Sequence, residues 1–184
     1  LHNERLDLNE WKVKNFYRCL YKNQPLLERK FLATSPNGHT LEVFAQRRLL
    51  TDKKEAMQLT YSVRSIDYTG PITILSLLRS GESVDNWYSL MNYVGDDLCW
   101  TWEQMQPINL QVCCAMNYQL YKNDALVTQR PIKVEKQKVI GYSLTQSMRP
   151  DDIFTLKKNV VVLDSLRNDK DTLIDRTVKC LINW

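Results

Sequence analysis

For most of its length the chain alternates apolar and polar positions in the manner of a sheet. Met57, Leu59, Tyr61 and Val63 alternate with Gln58, Thr60, Ser62 and Arg64. A period of two marks a strand with one buried and one wet face. Leu41, Val43 and Ala45 alternate with Glu42 and Gln46 in the same way, and Ile72 and Ile74 open a third run. Asp67-Tyr68-Thr69-Gly70-Pro71 separates the second run from the third with turn chemistry. Three successive strands with polar connections predict an antiparallel meander over 41–78. Upstream, Leu27, Arg29, Phe31 and Ala33 alternate with Glu28, Lys30 and Thr34. Ser35-Pro36-Asn37-Gly38 is a hairpin turn joining that strand to Leu41–Ala45. Phe16–Leu20 is a shorter strand candidate. Leu1–Leu8, turning at Asn3-Glu4, reads as the end of a hairpin.

Downstream, Leu110, Val112, Cys114, Met116, Tyr118 and Leu120 alternate with Asn109, Gln111, Cys113, Asn117 and Gln119. This is the longest clean strand pattern, and Lys122-Asn123-Asp124 turns it. Lys133–Gln137 leads into a strand at Val139–Leu144, and Arg149-Pro150-Asp151-Asp152 is a turn. Ile153–Leu156 and Asn159–Leu163 supply the last strand material, with Val160-Val161-Val162 β-branched. Then the period changes. Leu173, Ile174, Thr177, Val178, Leu181 and Ile182 fall on one face of an amphipathic helix, with Asn168 or Asp169 placed to cap it. No Gly, Pro or capping residue stops that helix before Trp184.

Residues 79–106 show neither period and are expected to form a 28-residue loop. Ordinary connections are ~4–6 residues, and much longer ones are functional or pack as lids. This stretch holds Trp87, Tyr88, Tyr93, Trp100 and Trp102 among Asp85, Asp96, Asp97 and Glu103. Rings stack on the apolar faces of a pyranose and carboxylates accept hydrogen bonds from its hydroxyls, so the mixture suits a sugar site. Alternatively, the rings cover the open face of the sheet.

Composition narrows the classes. At 184 residues the chain suits one domain with a real core. Its charge is 25 minus 21, or +4, with the basic residues scattered. That describes a solvated surface rather than a nucleic-acid face. Five glycines, against about 13 at the average usage of ~7%, leave little for phosphate-cradling loops. No apolar run approaches the ~20 residues of a membrane helix, and no secretory signal is visible. Cys19, Cys99, Cys113, Cys114 and Cys180 form no Cys-x-x-Cys pair, and only His2 and His39 could assist, so no metal site is expected. Neighbouring Cys113 and Cys114 on a strand must face opposite ways, one buried and one at least half exposed. Free thiols fit a cytoplasmic setting. His39 reads as a surface turn residue. A Gly-x-Ser-x-Gly elbow, a dinucleotide fingerprint and a His-Glu-x-x-His helix are all lacking.

The order of these elements resembles the N-terminal region of glycoside hydrolase family 65, which comprises maltose, trehalose and kojibiose phosphorylases; the chain is maltose phosphorylase-like. Glu4-Arg5-Leu6-Asp7-Leu8 looks like the family's Glu-Arg-Leu-Asp-Leu segment. Tyr17-Arg18-Cys19-Leu20 and Leu27-Glu28-Arg29-Lys30-Phe31 are similar to its paired strands, continued by Asn37-Gly38 and Leu41-Glu42-Val43. Gln46-Arg47-Arg48-Leu49, Leu59-Thr60-Tyr61-Ser62-Val63, Ile66-Asp67-Tyr68-Thr69-Gly70, Val134-Glu135-Lys136 and Gly141-Tyr142-Ser143 extend the match nearly end to end. The chain departs from the family at Arg48, where the family has Phe, and at Arg64-Ser65-Ile66, where it has Thr-Pro-Leu. Lys22–Pro25 also replaces a Gly-containing turn.

The resemblance implies a mainly β chain: an antiparallel β-sandwich of the galactose-mutarotase-like supersandwich type, incomplete, with a C-terminal helix. Residues 1–184 would be one sandwich segment, and 168–184 a terminal helix leading toward an (α/α)6 barrel absent from the chain. In the family that barrel carries the general acid and the phosphate-binding groups. Phosphate attacks the anomeric carbon with inversion, and no organic cofactor or metal is used. No catalytic position falls in this chain. The implied partners are an α-glucosidic disaccharide, inorganic phosphate, the chain's own barrel and a second copy in a homodimer, with neither nucleic acid nor membrane. Trp87, Tyr88, Trp100, Trp102 and Glu103 are the candidates for sugar or barrel contact. A stand-alone carbohydrate-binding module using the same rings is the alternative, and a hydrolase using Asp96, Asp97 or Glu103 is a third reading.

Overall fold

The computed structural model describes residues 4–81 and 87–183, with the backbone alone at Trp87. Leu1–Asn3, Asp85, the Trp87 side chain and Trp184 lie outside the described residues. Twelve strands and one α-helix are found among those described: β1 (Lys12–Tyr21), β2 (Leu26–Thr34), β3 (Thr40–Leu49), β4 (Ala56–Ser65), β5 (Gly70–Arg79), β6 (Trp87–Val94), β7 (Leu98–Met105), β8 (Leu110–Lys122), β9 (Ala125–Leu126), β10 (Ile132–Lys136), β11 (Val139–Met148), β12 (Ile153–Asp164) and α1 (Leu173–Ile182).

They build two antiparallel sheets. The large one runs β1-β2-β3-β4-β12-β8-β7-β6, with β9 paired to β8, and the small one runs β10-β11-β5. Between them lies a core that includes Phe31, Val43, Val63, Ile74, Met116, Ile140, Tyr142 and Phe154, each no more than 8% exposed. Helix α1 lies on the opposite face of the large sheet, where Leu173 and Leu181 bury against Ala56, Cys113, Ala115, Val161 and Leu163. The molecule is thus an antiparallel sandwich with a helix on one outer face, as expected.

Three local expectations are corrected. The run from Gly70 does not continue the meander but crosses into the small sheet and pairs with β11, Met148 opposite Gly70 and Val139 opposite Arg79. A buried corner redirects it. Ser65 Oγ donates to the Tyr68 carbonyl at 2.6 Å and accepts the Tyr68 N–H at 3.1 Å. The Tyr68 hydroxyl donates to the Pro71 carbonyl at 3.2 Å, with the ring 1% exposed. Ile72, Ile74 and Leu78 can then bury against the large sheet instead of lining a third adjacent strand.

Second, residues 4–11 contain no strand. Asp7 makes a local turn there: its carboxylate accepts the Asn9 N–H at 2.9 Å and its carbonyl the Trp11 N–H at 2.9 Å. That turn delivers Trp11 into the core at 5% exposure.

Third, the expected helix caps act elsewhere. Asn168 donates to the Asp164 carbonyl and Asp169 accepts the Asp171 N–H. The N-cap position belongs to Thr172, without a side-chain bond.

The other turns behave as their residues dictate. Asn123 and Asp124 have φ of 50° and 63°, the left-handed pair that a two-residue hairpin between β8 and β9 requires. Gly141 is needed for space, since a Cβ there would lie 2.1 Å from the Ser76 carbonyl oxygen on the adjacent strand. The cysteine pair divides as its spacing implies. Cys113 is fully buried beneath α1, and Cys114 is half-buried on the sandwich side. Burial pushes both thiols up to about 11, which leaves them protonated and unreactive at neutral pH.

Candidate functional site

The aromatic stretch is not an irregular loop. Beyond the residues outside the description, it is the hairpin β6–β7, paired from Trp87 opposite Met105 to Val94 opposite Leu98. Gly95, at φ 67°, lies in its turn. Its period of two is hidden because both faces of β7 are covered. Leu98, Trp100 and Trp102 point to the α1 side and pack with Leu173, Ile174, Val178 and Leu181. Cys99 and Thr101 point into the sandwich, 0% and 3% exposed.

That alternation sorts the candidate residues. Tyr88 pairs with Gln104 and Leu90 with Trp102, which puts Tyr88, Trp100 and Trp102 on the α1 side of the sheet. Tyr88 and Leu90 are 56% and 57% exposed beside the half-buried Trp102. Glu103 lies on the other side, where its Oε1 accepts the Gly81 N–H at 3.0 Å. The structure therefore brings three of the rings together and leaves Glu103 apart from them.

The two acids at the hairpin tip have separate surroundings. Asp96 bridges Arg130 at 3.5 Å and Lys133 at 3.6 Å. Lys133 also donates to the Gly95 carbonyl at 2.9 Å and lies 4.9 Å over the Tyr93 ring. No hydrogen bond or ion pair among the described residues holds Asp97.

Behind the tip is a tyrosine cluster that the sequence flagged only as apolar pattern. Tyr142 packs 5.6 Å from Tyr93 and 4.9 Å from Tyr118, centroid to centroid. The Tyr93 hydroxyl reaches the carbonyls of Val134 at 2.8 Å and Gly141 at 3.0 Å. The Tyr142 hydroxyl is buried without a hydrogen-bond partner among the described residues. Burial, then the neighbouring charges of Asp97 and Asp96, push the Tyr118 phenol up to about 12. Alternating strands made Tyr118 and Tyr142 look like ordinary core, and nothing local in the sequence marks the unpartnered hydroxyl.

On the helix side, a cavity of about 410 Å³ opens between α1 and the start of β4. Lys53, Glu55, Arg176, Lys179 and Cys180 lie around it, over a floor of Ala56 and Val161. Among the described residues no cluster of His, Cys, Asp and Glu could hold a metal ion. None of the described helices is long and apolar enough to cross a membrane.

The fold defines an antiparallel β-sandwich domain with one helix packed on an outer face. The family model for the glycosyl hydrolase family 65 N-terminal domain matches residues 1–181, and the chain belongs to that family. Among solved structures, "Putative kojibiose phosphorylase from human microbiome" superposes with a TM-score of 0.83 at 17% identity. The match covers 99% of this chain and 24% of that one, so the chain spans about a quarter of that protein's length. At this identity the superposition speaks for the fold. No curated protein matches the chain.

Proposed function

We propose that this chain is the supporting sandwich of a family 65 phosphorylase and is not itself catalytic. The parent enzyme would carry out inverting phosphorolysis of an α-glucosidic disaccharide such as maltose, with inorganic phosphate as co-substrate and no organic cofactor or metal. It would work in the cytoplasm, with a second copy as a candidate partner. The family match over residues 1–181 carries this reading. The surroundings of the acids agree with it. Asp96 is bound to two cations and Glu103 to a backbone amide, so neither is poised as a general acid beside the rings. The exposed strip of Tyr88 and Leu90 beside Trp102 is an apolar surface on the side that α1 occupies. Contact with the catalytic barrel is the role assigned to that strip.

The test is glucose 1-phosphate formation by this chain from maltose, kojibiose or trehalose with phosphate. Silence from the folded chain supports a supporting role. Turnover that copurifies with the chain overturns it.

A further inference from the structure

The large sheet ends at β6 on one side, beside the strip of Tyr88 and Leu90, and at β1 on the other. Among the described residues β1 pairs only with β2. On its far side alternate N–H and C=O groups therefore point away from the sheet. The register slips between Lys14 and Tyr17, where Asn15 has a φ of 53°. It then runs unbroken from Tyr17 opposite Lys30 to Tyr21 opposite Leu26.

Sheet edges are ordinarily blunted by bulges and lysines, and the first part of β1 has both. The second part is different. Phe16, Tyr17, Leu20 and Tyr21 are 53%, 49%, 72% and 37% exposed, and Arg18 is the one charge between Lys14 and Lys22.

We propose that the free edge of β1 takes up an extended segment of a partner protein as a further strand, with an acid opposite Arg18 and apolar residues two places to either side of it.

The charges specify the acid. Arg18 sits directly opposite Arg29, an arrangement that brings Cβ atoms to roughly 4.5–5.5 Å and destabilises like charges. Both lie on the sandwich side: the Arg29 guanidinium is 5.4 Å from the Phe31 ring centre, and Phe16 stacks on that ring at 5.9 Å. Arg47 follows on the same side one strand further in, opposite Leu27. Among the described residues none of the three arginines has an ion-pair partner. Glu28 is on the outer face, where it accepts the Tyr21 hydroxyl at 2.7 Å and the Gln46 amide at 2.8 Å. A carboxylate entering beside Arg18 relieves this repulsion, while Phe16 and Leu20 flank it with apolar surface.

The same charges argue against a second copy of β1. No acid stands between Glu10 and Glu28, so two such strands would meet with basic residues only. A lipid surface would meet the charges and the exposed rings, but it would leave the row of backbone groups unpaired.

This inference concerns the opposite end of the sheet from the strip assigned to the barrel and does not rest on that role. The experiment measures binding of the 184-residue chain to a fluorescein-labelled ten-residue peptide with the core Val-Thr-Glu-Thr-Val. Saturable anisotropy with a Kd on the order of 100 μM is expected, with amide NMR shifts confined to residues 16–21. Arg18→Glu, at an exposed position, should weaken binding at least tenfold, and a peptide with Lys in place of Glu should restore it. Of two peptides N-methylated on opposite edges, one should lose binding and the other keep it. Tyr88→Ala should change nothing. The proposal is overturned if no saturable binding is seen up to about 1 mM peptide, or if Arg18→Glu binds like the parent chain. Equal binding of both N-methylated peptides would also overturn it, as would a chain that ignores the peptide and sediments with phosphatidylglycerol-containing vesicles.

Discussion

The two halves of the large sheet are built from similar strands and live in different surroundings. In β1, β2, β3 and β4 the outer face meets water. There Tyr21, Glu28 and Gln46 form one hydrogen-bonded row, and Lys30, Glu42 and Arg64 another. In β7 and the adjoining part of β8, that outer face is taken up by Leu98, Trp100, Trp102, Cys113 and Ala115, clustered with the helix, while the inner face still packs in the sandwich. The first half is a two-layer structure and the second a three-layer one. A strand with one wet face shows its period in the residues it can afford, and a strand covered on both sides does not.

The comparison is broken most severely by adding volume where the layers are tightest. Gly141→Ala forces a methyl group against the Ser76 carbonyl oxygen and the Met116 side chain. It is expected to cost about 4 kcal/mol or more, or to abolish folding. Urea denaturation measures it, and a variant of native stability would show that the two sheets can separate at that point. Next comes removal of the third layer. Leu181→Ala empties a position 1% exposed between helix and sheet, for a loss of about 2–5 kcal/mol. The same assay on the open half sets the contrast: Glu42→Gln should change stability by less than about 1 kcal/mol, since its partners are exposed and screened.

The smallest effect is a pH dependence. Asp152 ties the turn before β12 to the end of β8. It accepts from Asn123 and Lys122 and from the Arg149 backbone, which hold its carboxyl at about 2. An unfolded aspartate titrates near 3.9. A carboxylate depressed on folding stabilises the fold above its unfolded pKa and stops doing so as pH falls through its folded one. Thermal unfolding between about pH 4 and pH 2 should therefore flatten in Asp152→Asn relative to the parent chain. Identical slopes would mean that this carboxylate gains nothing on folding.

How much could be read from the residues follows the same division. Strands β2, β3, β4 and most of β8 were legible, because Glu28, Lys30, Glu42, Gln58, Thr60, Asn117 and Gln119 mark the wet face. Strands β6 and β7 were not. Leu98-Cys99-Trp100 is apolar throughout, one side serving the helix and the other the sandwich. The corner at Ser65 and Tyr68 was read as an ordinary turn, since its effect depends on where Ile72 and Ile74 find a surface to bury. Of the candidate residues, Tyr88, Trp100 and Trp102 were grouped with Glu103 by nearness in sequence, and strand alternation separates them. At the hairpin tip Asp97, Tyr118 and Gln129 come together from the β6–β7 turn, β8 and the segment after β9, a juxtaposition that no local pattern encodes.

One feature of the topology bears on how the chain reaches this state. Strand β12 is the seam of the large sheet, paired with β4 on one side and β8 on the other. Because both pairings are antiparallel, β4 and β8 run parallel to each other. Each half can zip locally through short hairpins, but joining them needs a strand that lies about a hundred residues beyond β4. Closure over such distances is slow. Until it happens, β4 and β8 present two unsatisfied edges that can pair with each other or with another molecule. A nascent or damaged chain lacking residues after Met148 would thus hold two sheet fragments with open edges, and its hazard would be aggregation.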